Sequence, residues 1–204
     1  MIDLLESRRL FTAVPIEING TAGNDMIRID VGIDNYFVTV NGVRSDYPAL
    51  SVSTFIIRSG EGDDTVVITT GVFLGCYIDG GPGNDKLVGG NGADTILGGA
   101  GKDNILGGLG NDLLKGGGGN DKILGNEGAD RIYGGDGNDY ISGGSSGDRL
   151  YPGAGVDTVL GDGGNDFIFA IDGVADQLFG GSGTDTAHAD NGDIRSSIEL
   201  VAIV

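Results

Sequence analysis

The 204-residue chain has almost none of the residues from which zinc centres, disulfide frameworks and most catalytic sites are built. It contains one cysteine, Cys76, one histidine, His188, and no tryptophan. One cysteine cannot form an internal disulfide, and without a cluster of cysteines and histidines the chain has no ligand set for zinc or copper. No run of apolar residues is long enough to span a membrane. These shortages exclude disulfide scaffolds and metal centres built from thiolates or imidazoles.

Basic residues are scarce as well. Lysine and arginine number 12 against 30 aspartates and glutamates, which gives a formal net charge of −18 at pH 7. A chain with this charge repels phosphate backbones and anionic lipid surfaces, so we expect no nucleic-acid partner. Glycine, in contrast, is abundant at 42 residues, far above average usage.

Most of the glycine and much of the acid lies in a nine-residue repeat that runs from Gly80 to His188. The first copies read GGPGNDKLV, GGNGADTIL and GGAGKDNIL, and the last reads GGSGTDTAH. The pattern is G-G-x-G-x-D-x-U-x, where U is a large apolar residue, and it recurs in twelve copies with one extra residue at Ala170. A disordered glycine-rich linker would not keep an aspartate and an aliphatic residue two apart throughout, which favours a folded array.

Each position of the nine has its own physical role. Glycine, which dominates positions one, two and four, reaches positive φ at no steric cost, as a tight turn requires. Positions seven and nine flank the apolar position eight and should point the opposite way, which predicts a three-residue strand with position eight turned inward. Position six is aspartate in every copy: Asp85, Asp94, Asp103, Asp112, Asp121, Asp130, Asp139, Asp148, Asp157, Asp166, Asp176 and Asp185.

Strands this short must stack to bury their apolar residues. Two turn-strand units make a coil of 18 residues, and stacked coils bury position eight between two parallel sheets. We therefore predict an all-β fold, a parallel β-solenoid with 18 residues per coil and an N-terminal strand-rich cap.

Stacking also places the aspartates in two columns, because residues 18 apart fall on the same edge of neighbouring coils. Coils lie about 4.8 Å apart, so the carboxylates of one column repel each other unless cations lie between them. Carboxylates and backbone carbonyls are hard ligands that suit Ca²⁺ better than Mg²⁺, which prefers a strict octahedron. One edge carries Asp85, Asp103, Asp121, Asp139 and Asp157, and the other carries Asp94, Asp112, Asp130, Asp148 and Asp166.

The nonapeptide resembles that of the RTX family, the bacterial calcium-binding repeats of haemolysin type. The resemblance implies a right-handed parallel β-roll with one Ca²⁺ between successive turns on each edge. It also implies that each motif aspartate is a side-chain ligand and that turn carbonyls supply the rest. Complete pairs 18 residues apart number eight, so we expect about eight Ca²⁺. Asp176 and Asp185 follow the extra residue, and we expect their sites to be distorted or empty.

The N-terminal part of the chain matches the repeat only in part. The copies GTAGNDMIR and SGEGDDTVV place Asp25 and Asp64 at position six, but neither has an aspartate 18 residues away. We include Asp64 among the candidate ligands and expect both sites to be incomplete. Cys76 replaces the aspartate in GVFLGCYID, which should remove a ligand.

These patterns divide the chain into four segments. Residues 1–13 form a leader or a helical cap, and their LESRRL resembles a motif of exported planctomycete proteins. Residues 14–79 form a strand-rich cap with degenerate repeats and a β-hairpin over Met26–Val43. Residues 80–188 form the β-roll. Residues 189–204 form a closing strand, and Glu199 followed by apolar residues resembles part of a type I secretion signal.

Position nine carries apolar residues on faces that should be outward, among them Tyr133, Tyr151 and Phe169 at 18-residue spacing. Such ladders stabilise a sheet through contacts between coils, or they form a surface for self-association or for a matrix or cell-surface partner. Both readings remain open at this point.

We expect a non-enzymatic function. His188 is the only histidine, the cations are scattered, and no catalytic motif is present. The expected function is an extracellular calcium-binding β-roll, secreted or on the surface of a bacterium, that folds on binding Ca²⁺ and has a structural, adhesive or matrix role. The alternative is a non-catalytic secretion module of a larger secreted enzyme of polysaccharide lyase or epimerase type.

Overall fold

The computed structural model describes residues 12–198 and 200–203. Strands in this part of the chain form two sheets, one of 10 strands and one of 11. The helical structure among these residues is one 3₁₀ turn, Ala49–Ser51, and no helix there is long and apolar enough to cross a bilayer. The expected all-β fold is confirmed. The leader or cap expected over residues 1–13 lies almost wholly outside the described residues, as does Glu199.

The first third of the chain forms seven strands of four to seven residues. They are β1 (Val14–Asn19), β2 (Met26–Val31), β3 (Asn35–Val40), β4 (Val43–Pro48), β5 (Val52–Arg58), β6 (Thr65–Ile68) and β7 (Cys76–Pro82). Strands β2 and β3 pair antiparallel, as the predicted hairpin requires, and β4 adds a third antiparallel strand. Strand β2 also pairs with β6, and this pairing is parallel, so this part of the chain continues the solenoid.

The repeat array and the segment that follows it form the remaining strands. They are β8 (Lys86–Val88), β9 (Thr95–Ala100), β10 (Asn104–Leu109), β11 (Leu113–Gly118), β12 (Lys122–Glu127), β13 (Arg131–Asp136), β14 (Tyr140–Ser145), β15 (Arg149–Ala154), β16 (Thr158–Gly163), β17 (Phe167–Ala170), β18 (Gln177–Phe179), β19 (Thr186–Ala189), β20 (Ile194–Ser196) and β21 (Leu200–Ile203).

Successive strands of the array alternate between the two sheets. The ten-stranded sheet has the order β1-β5-β7-β9-β11-β13-β15-β17-β19-β21, and the eleven-stranded sheet takes the even strands from β20 back to β6 and ends in β2-β3-β4. Within each sheet the array strands pair in parallel at one-coil spacing, as Ile105 with Ile123 and Ile123 with Ile141. The 18-residue coil predicted from the sequence is therefore the structural repeat.

The core is the column of position-eight side chains between the sheets. Eleven of these residues, Leu87, Ile96, Ile105, Leu114, Ile123, Ile132, Ile141, Leu150, Val159, Ile168 and Leu178, have no solvent exposure. Ala187 is buried at the last repeat, and Phe55 fills the N-terminal end with Tyr36 edge-on to it at 5.3 Å between ring centroids. Burial of this column drives the stacking, because a single coil has no core of its own.

Most array strands are longer than predicted. They contain six residues, because pairing continues from position seven through the glycines to position three. Gly117 has φ of +115°, and a Cβ on it would lie 2.0 Å from the carbonyl oxygen of Gly99 in the preceding coil. Most copies therefore have glycine at this position, although Asn126 takes it with φ of +78° and still pairs with Gly108 and Gly144. The close approach of the coils here extends the strands beyond the residues whose polar and apolar side chains alternate.

The position-nine side chains of the ten-stranded sheet contact one another along the stack. The rings of Tyr133 and Tyr151 are stacked, with centroids 4.8 Å apart and an angle of 10° between their planes. The ring centroids of Tyr151 and Phe169 lie 6.2 Å apart. These contacts stabilise neighbouring strands. Self-association through this face stays a prediction.

Candidate metal sites

Each motif aspartate joins two neighbouring coils through one carboxylate oxygen. The backbone N–H of Asp85 donates to Oδ1 of Asp103 at 2.8 Å, and that of Asp103 donates to Asp121 at the same distance. On the other edge, Asp94 N–H donates to Oδ1 of Asp112 at 2.8 Å. The two columns expected from the 18-residue spacing are therefore present. Their carboxylates are almost completely buried.

The second carboxylate oxygen of most column members has no hydrogen-bond partner among the described residues. A buried carboxylate oxygen without a donor or a cation costs free energy, so these atoms fit a bound metal ion. The unpartnered Oδ2 atoms belong to Asp64, Asp85, Asp103, Asp112, Asp121, Asp130, Asp139, Asp148, Asp157, Asp166 and Asp176.

Glycine at position one leaves space beside these oxygens. A Cβ on Gly98 would lie 2.3 Å from Oδ2 of Asp103 and 2.6 Å from the carbonyl oxygen of Gly116 in the next coil. The same arrangement recurs at Gly116, where a Cβ would lie 2.2 Å from Oδ2 of Asp121 and 2.6 Å from the Gly134 carbonyl oxygen. A side-chain oxygen and a carbonyl oxygen from neighbouring coils thus converge on one point that the absent Cβ leaves free.

The ligand set of each site must be mostly backbone. Among the described residues, no three His, Cys, Asp or Glu side chains come together in a way that could hold a metal ion. Carbonyl oxygens of the turn glycines point along the stack, since a Cβ on Gly119 would lie 1.9 Å from the carbonyl oxygen of Gly101. One or two carboxylates with several carbonyls form an oxygen set of the kind that Ca²⁺ accepts.

Burial makes the column carboxylates hard to ionise when no cation is present. It raises the pKa of Asp103, Asp112 and Asp139 to about 7, against an ordinary value of 3.8. The hydrogen bond from the preceding coil's N–H lowers each pKa in part, while the neighbouring carboxylates of the column raise it further. A proton or a divalent cation relieves the same cost, so the two compete for these sites.

The N-terminal aspartates continue the first column, contrary to the expectation from their spacing. Asp64 N–H donates to Oδ1 of Asp85 at 2.8 Å, although the two are 21 residues apart, and Asp25 N–H donates to Oδ1 of Asp64 at 2.7 Å. The additional residues are accommodated without displacing the aspartates, so Asp25 and Asp64 lie in the first column although neither has an aspartate 18 residues away. That their calcium sites are incomplete stays a prediction.

Asp25 itself differs from the other column members. Its Oδ2 accepts hydrogen bonds from the N–H and hydroxyl of Thr21 at 2.5 and 3.0 Å, and its Oδ1 contacts Asn41. The N–H of Thr21, then Asn41, lowers the pKa of Asp25. Protein donors therefore satisfy this carboxylate, which does not need a cation.

The second column begins beside Cys76. The N–H of Cys76 donates to Oδ1 of Asp94 at 2.7 Å, so the cysteine occupies the position-six place as its repeat register predicts. Burial raises the pKa of the thiol to about 12, so it stays protonated and is no ligand for a hard cation. Oδ2 of Asp94 accepts from Gly90 N–H at 2.9 Å, which makes this first site less available than those that follow.

The C-terminal aspartates keep the column hydrogen bonds despite the extra residue at Ala170. Asp157 N–H donates to Oδ1 of Asp176, and Asp166 N–H to Oδ1 of Asp185, both at 2.9 Å across 19 residues. The segment between β17 and β18 absorbs the insertion, so both carboxylates keep their places in the columns. That their calcium sites are distorted or empty stays a prediction.

Two features of the columns were not anticipated from the sequence. Asp193 extends the first column, since its Oδ1 accepts a hydrogen bond from Asp176 N–H at 3.0 Å across 17 residues. The glycine directly before Asp193 was the one sequence feature that indicated this role. Asparagines at position five also link the turns, as where Oδ1 of Asn120 accepts from Asn138 N–H at 2.9 Å. The recurrence of asparagine at that position could have indicated this link.

Comparison with known protein families identifies the same array. A family model described as the RTX calcium-binding nonapeptide repeat matches residues 79–114, 115–150, 143–173, 151–187 and 172–193. These matches together cover more than half of the chain. No curated protein matches the sequence.

Proposed function

Because the chain belongs to the family of RTX calcium-binding nonapeptide repeat proteins, we propose that it is an extracellular β-roll that folds as Ca²⁺ fills its aspartate columns. The observation that carries this proposal is the row of buried, unpartnered Oδ2 atoms, most of which lie beside a carbonyl oxygen of the next coil where position one is glycine. Without a cation these columns oppose stacking, and with calcium they join neighbouring coils.

The calcium sites follow from the same geometry. We infer about eight ions, one between each pair of motif aspartates 18 residues apart from Asp85 to Asp166. Asp64, Asp176 and Asp185 add candidate ligands at the two ends, since they lie in the same columns. The Asp94 end is the weakest of these sites, because Gly90 already donates to its Oδ2.

An extracellular location fits the dependence on calcium. Extracellular calcium modules bind with Kd of about 10⁻⁴–10⁻³ M, which keeps them empty in the cytosol and loaded outside. Binding and folding then become one event, because the ligand stabilises only the folded chain. We propose a secreted or cell-surface protein whose role is structural, adhesive or part of a matrix.

We propose that the roll itself is not catalytic. The column carboxylates are committed to metal and to the backbone of neighbouring coils, which leaves no free acid–base pair in them. The ring of His188 lies 5.3 and 5.9 Å, between centroids, from the rings of Phe167 and Phe169.

The proposal is tested by removing and restoring calcium. Circular dichroism and sedimentation velocity are measured on protein treated with EDTA and then titrated with Ca²⁺ or with Mg²⁺. We expect a cooperative gain of β-signal and a compact particle with Ca²⁺ only. A chain that is equally folded in EDTA, or that responds equally to Mg²⁺, would refute calcium-dependent folding.

A further inference from the structure

One stretch of the ten-stranded sheet carries cations, but no acids, at its outward positions seven and nine. On the ten-stranded sheet from β9 to β19, the outward positions seven and nine contain no carboxylate, although the net charge of the chain is −18. The acidic residue of β13, Asp136, lies at the far end of its strand. The cations at these outward positions are Lys115, Arg131 and Arg149.

Two arginines lie side by side on this face. Arg131 and Arg149 are direct partners in the parallel register of β13 and β15, and both are exposed. Neither has a hydrogen bond, ion pair or cation–π contact with a described residue, and the two ion pairs found there use Arg28 and Arg44. Like charges directly opposite each other destabilise a sheet, so the pair has no structural benefit in the chain alone.

The arginine pair lines a groove that follows the stacking axis. The groove has a volume of about 370 Å³ and extends over four coils, because position five there is small at Ala93, Ala129 and Gly147. Thr95 and Asn111 add neutral polar groups to its lining. The column carboxylates Asp94, Asp112 and Asp130 also line it.

The charge of this groove depends on calcium, and here the argument rests on the function proposed above. In a filled column each coil contributes one Ca²⁺ and one aspartate, so the column changes from one negative to one positive charge per coil. Without calcium the carboxylates beside the arginines repel an anion. With calcium the ions and the arginine pair attract it together.

We propose that this groove binds an acidic polysaccharide when the roll is loaded with calcium, with carboxylate or sulfate groups held by Arg131 and Arg149. Guanidinium groups bind such oxyanions through paired hydrogen bonds, and their spacing along the stack suits a linear polymer with repeated charges. A single-stranded nucleic acid fits less well. It needs free aromatic faces for its bases, whereas Tyr133 and Tyr151 stack on each other.

The test uses a fluorescein-labelled chondroitin sulfate oligosaccharide, whose anisotropy is followed as full-length protein is added in CaCl₂ or in EDTA. We expect saturable binding in calcium and none in EDTA. The double variant Arg131→Gln/Arg149→Gln should bind about tenfold more weakly or worse, because the charge-assisted bonds are lost. A neutral dextran oligosaccharide and a labelled single-stranded DNA of equal charge should not bind.

The matched control is Lys86→Gln/Lys122→Gln, which also removes two positive charges, but from position seven of the other sheet. Its affinity for the oligosaccharide should stay within about twofold of the parent protein. An equal loss in both double variants would mean that only the overall charge matters, and it would overturn the site. Equal binding of the DNA, or no binding of the oligosaccharide in calcium, would overturn it as well.

Calcium binding is measured separately on every variant. Arg131 and Arg149 directly follow the column aspartates Asp130 and Asp148, so circular dichroism and calcium stoichiometry must match the parent protein before the affinities are compared. Failure of the parent protein to bind calcium would reject the proposed function itself. Normal calcium binding without oligosaccharide binding would reject only the groove.

Discussion

At the scale of the residue, the motif aspartate has two separable functions. Its Oδ1 accepts a hydrogen bond from the backbone of the preceding coil, and in most column members, such as Asp121, Oδ2 is buried without a hydrogen-bond partner among the described residues. The first function needs only an acceptor oxygen, whereas the second needs a negative charge. A change that keeps the oxygen and removes the charge therefore separates them.

Asp121→Asn is that change. The amide oxygen can still accept the N–H of Asp103, but the two calcium sites that Asp121 contributes to lose a carboxylate. We expect calorimetry to show about two fewer Ca²⁺ per chain and a higher calcium concentration at the folding midpoint. Asp136→Asn removes an exposed acid outside the columns and should leave both quantities unchanged. Unaltered stoichiometry in Asp121→Asn would contradict its role as a ligand.

The glycines of the repeat offer an equally direct comparison. Gly116→Ala places a methyl group 2.2 Å from Oδ2 of Asp121, at the point where a cation would lie. Gly118→Ala places one where no atom lies within 4 Å, and neither glycine has a positive φ. Denaturant titration in calcium should show a loss of about 1–3 kcal/mol for Gly116→Ala. Gly118→Ala should change stability by less than about 0.5 kcal/mol. Equal effects of the two substitutions would argue against a cation site beside Gly116.

At the scale of the element, the strand is too short to be stable alone and depends on its neighbours. Each position-eight residue packs between the sheets, so the ladder of strands and the ladder of core residues have the same period. Stability is then distributed along the stack, as in other solenoids whose repeats contact only adjacent repeats.

Truncation in the middle of this core should be costly. Ile123→Ala removes a fully buried side chain and leaves a cavity that the paired coils cannot close, which costs about 2–5 kcal/mol. Leu124→Ala alters the adjacent residue of the same strand, whose side chain is half-exposed on the outer face, and should cost less than about 1.5 kcal/mol. Thermal unfolding of both variants in saturating calcium measures the difference, and a larger loss at Leu124 would contradict the assigned inward face.

The strands and the columns were largely predictable from the sequence, because one regular spacing specifies both. Ile105 and Ile123 must pair if coils contain 18 residues, and the same count aligns Asp103 with Asp121. The array strands were predicted too short because they continue through glycines, which have no side chain whose polarity could indicate an extended, paired conformation.

Irregular segments explain what the sequence did not reveal. The hairpin brings Asn41 to Asp25, a contact between residues 16 apart that no repeat spacing encodes. Asp64 and Asp193 lie at 21 and 17 residues from their column neighbours, so a fixed period misses their place in the column. How insertions are accommodated depends on loop packing, which spacing alone does not specify.

At the scale of the whole molecule, the dominant quantity is charge. The chain carries −18 at pH 7, and about eight Ca²⁺ would bring this to roughly −2. Calcium bound in that number would therefore remove the repulsion between coils and most of the repulsion between molecules at the same time. The predicted self-association through outward apolar residues would then be favoured only in the loaded state.

The pH dependence of the calcium-free molecule should be opposite to that of most acidic proteins. Burial raises the pKa of Asp103, Asp112 and Asp139 to about 7 in the folded state, against 3.8 when exposed. A carboxyl that holds its proton more tightly when folded stabilises the fold below its unfolded pKa, and that contribution is lost as pH rises through about 7. In EDTA we therefore expect a larger folded fraction, seen as a stronger β-signal in circular dichroism, at pH 5.5 than at pH 8.

In calcium the dependence should reverse. Protons compete with Ca²⁺ for the same carboxylates, so the calcium concentration at the folding midpoint should be higher at pH 5.5 than at pH 8. Circular dichroism at both pH values, with and without calcium, measures both effects. Calcium-free protein that gained stability between pH 5.5 and pH 8 would contradict the raised pKa values.

The uniform 18-residue register also makes the coil a mechanical unit. Tension applied to the two ends would peel coils away one at a time, because each is joined to its neighbours and to nothing more distant. Every coil released adds 18 residues of extended chain, about 60 Å, in place of a rise of about 5 Å. Such a molecule would act as an extensible tether of nearly equal steps, with a resistance set by the calcium concentration around it.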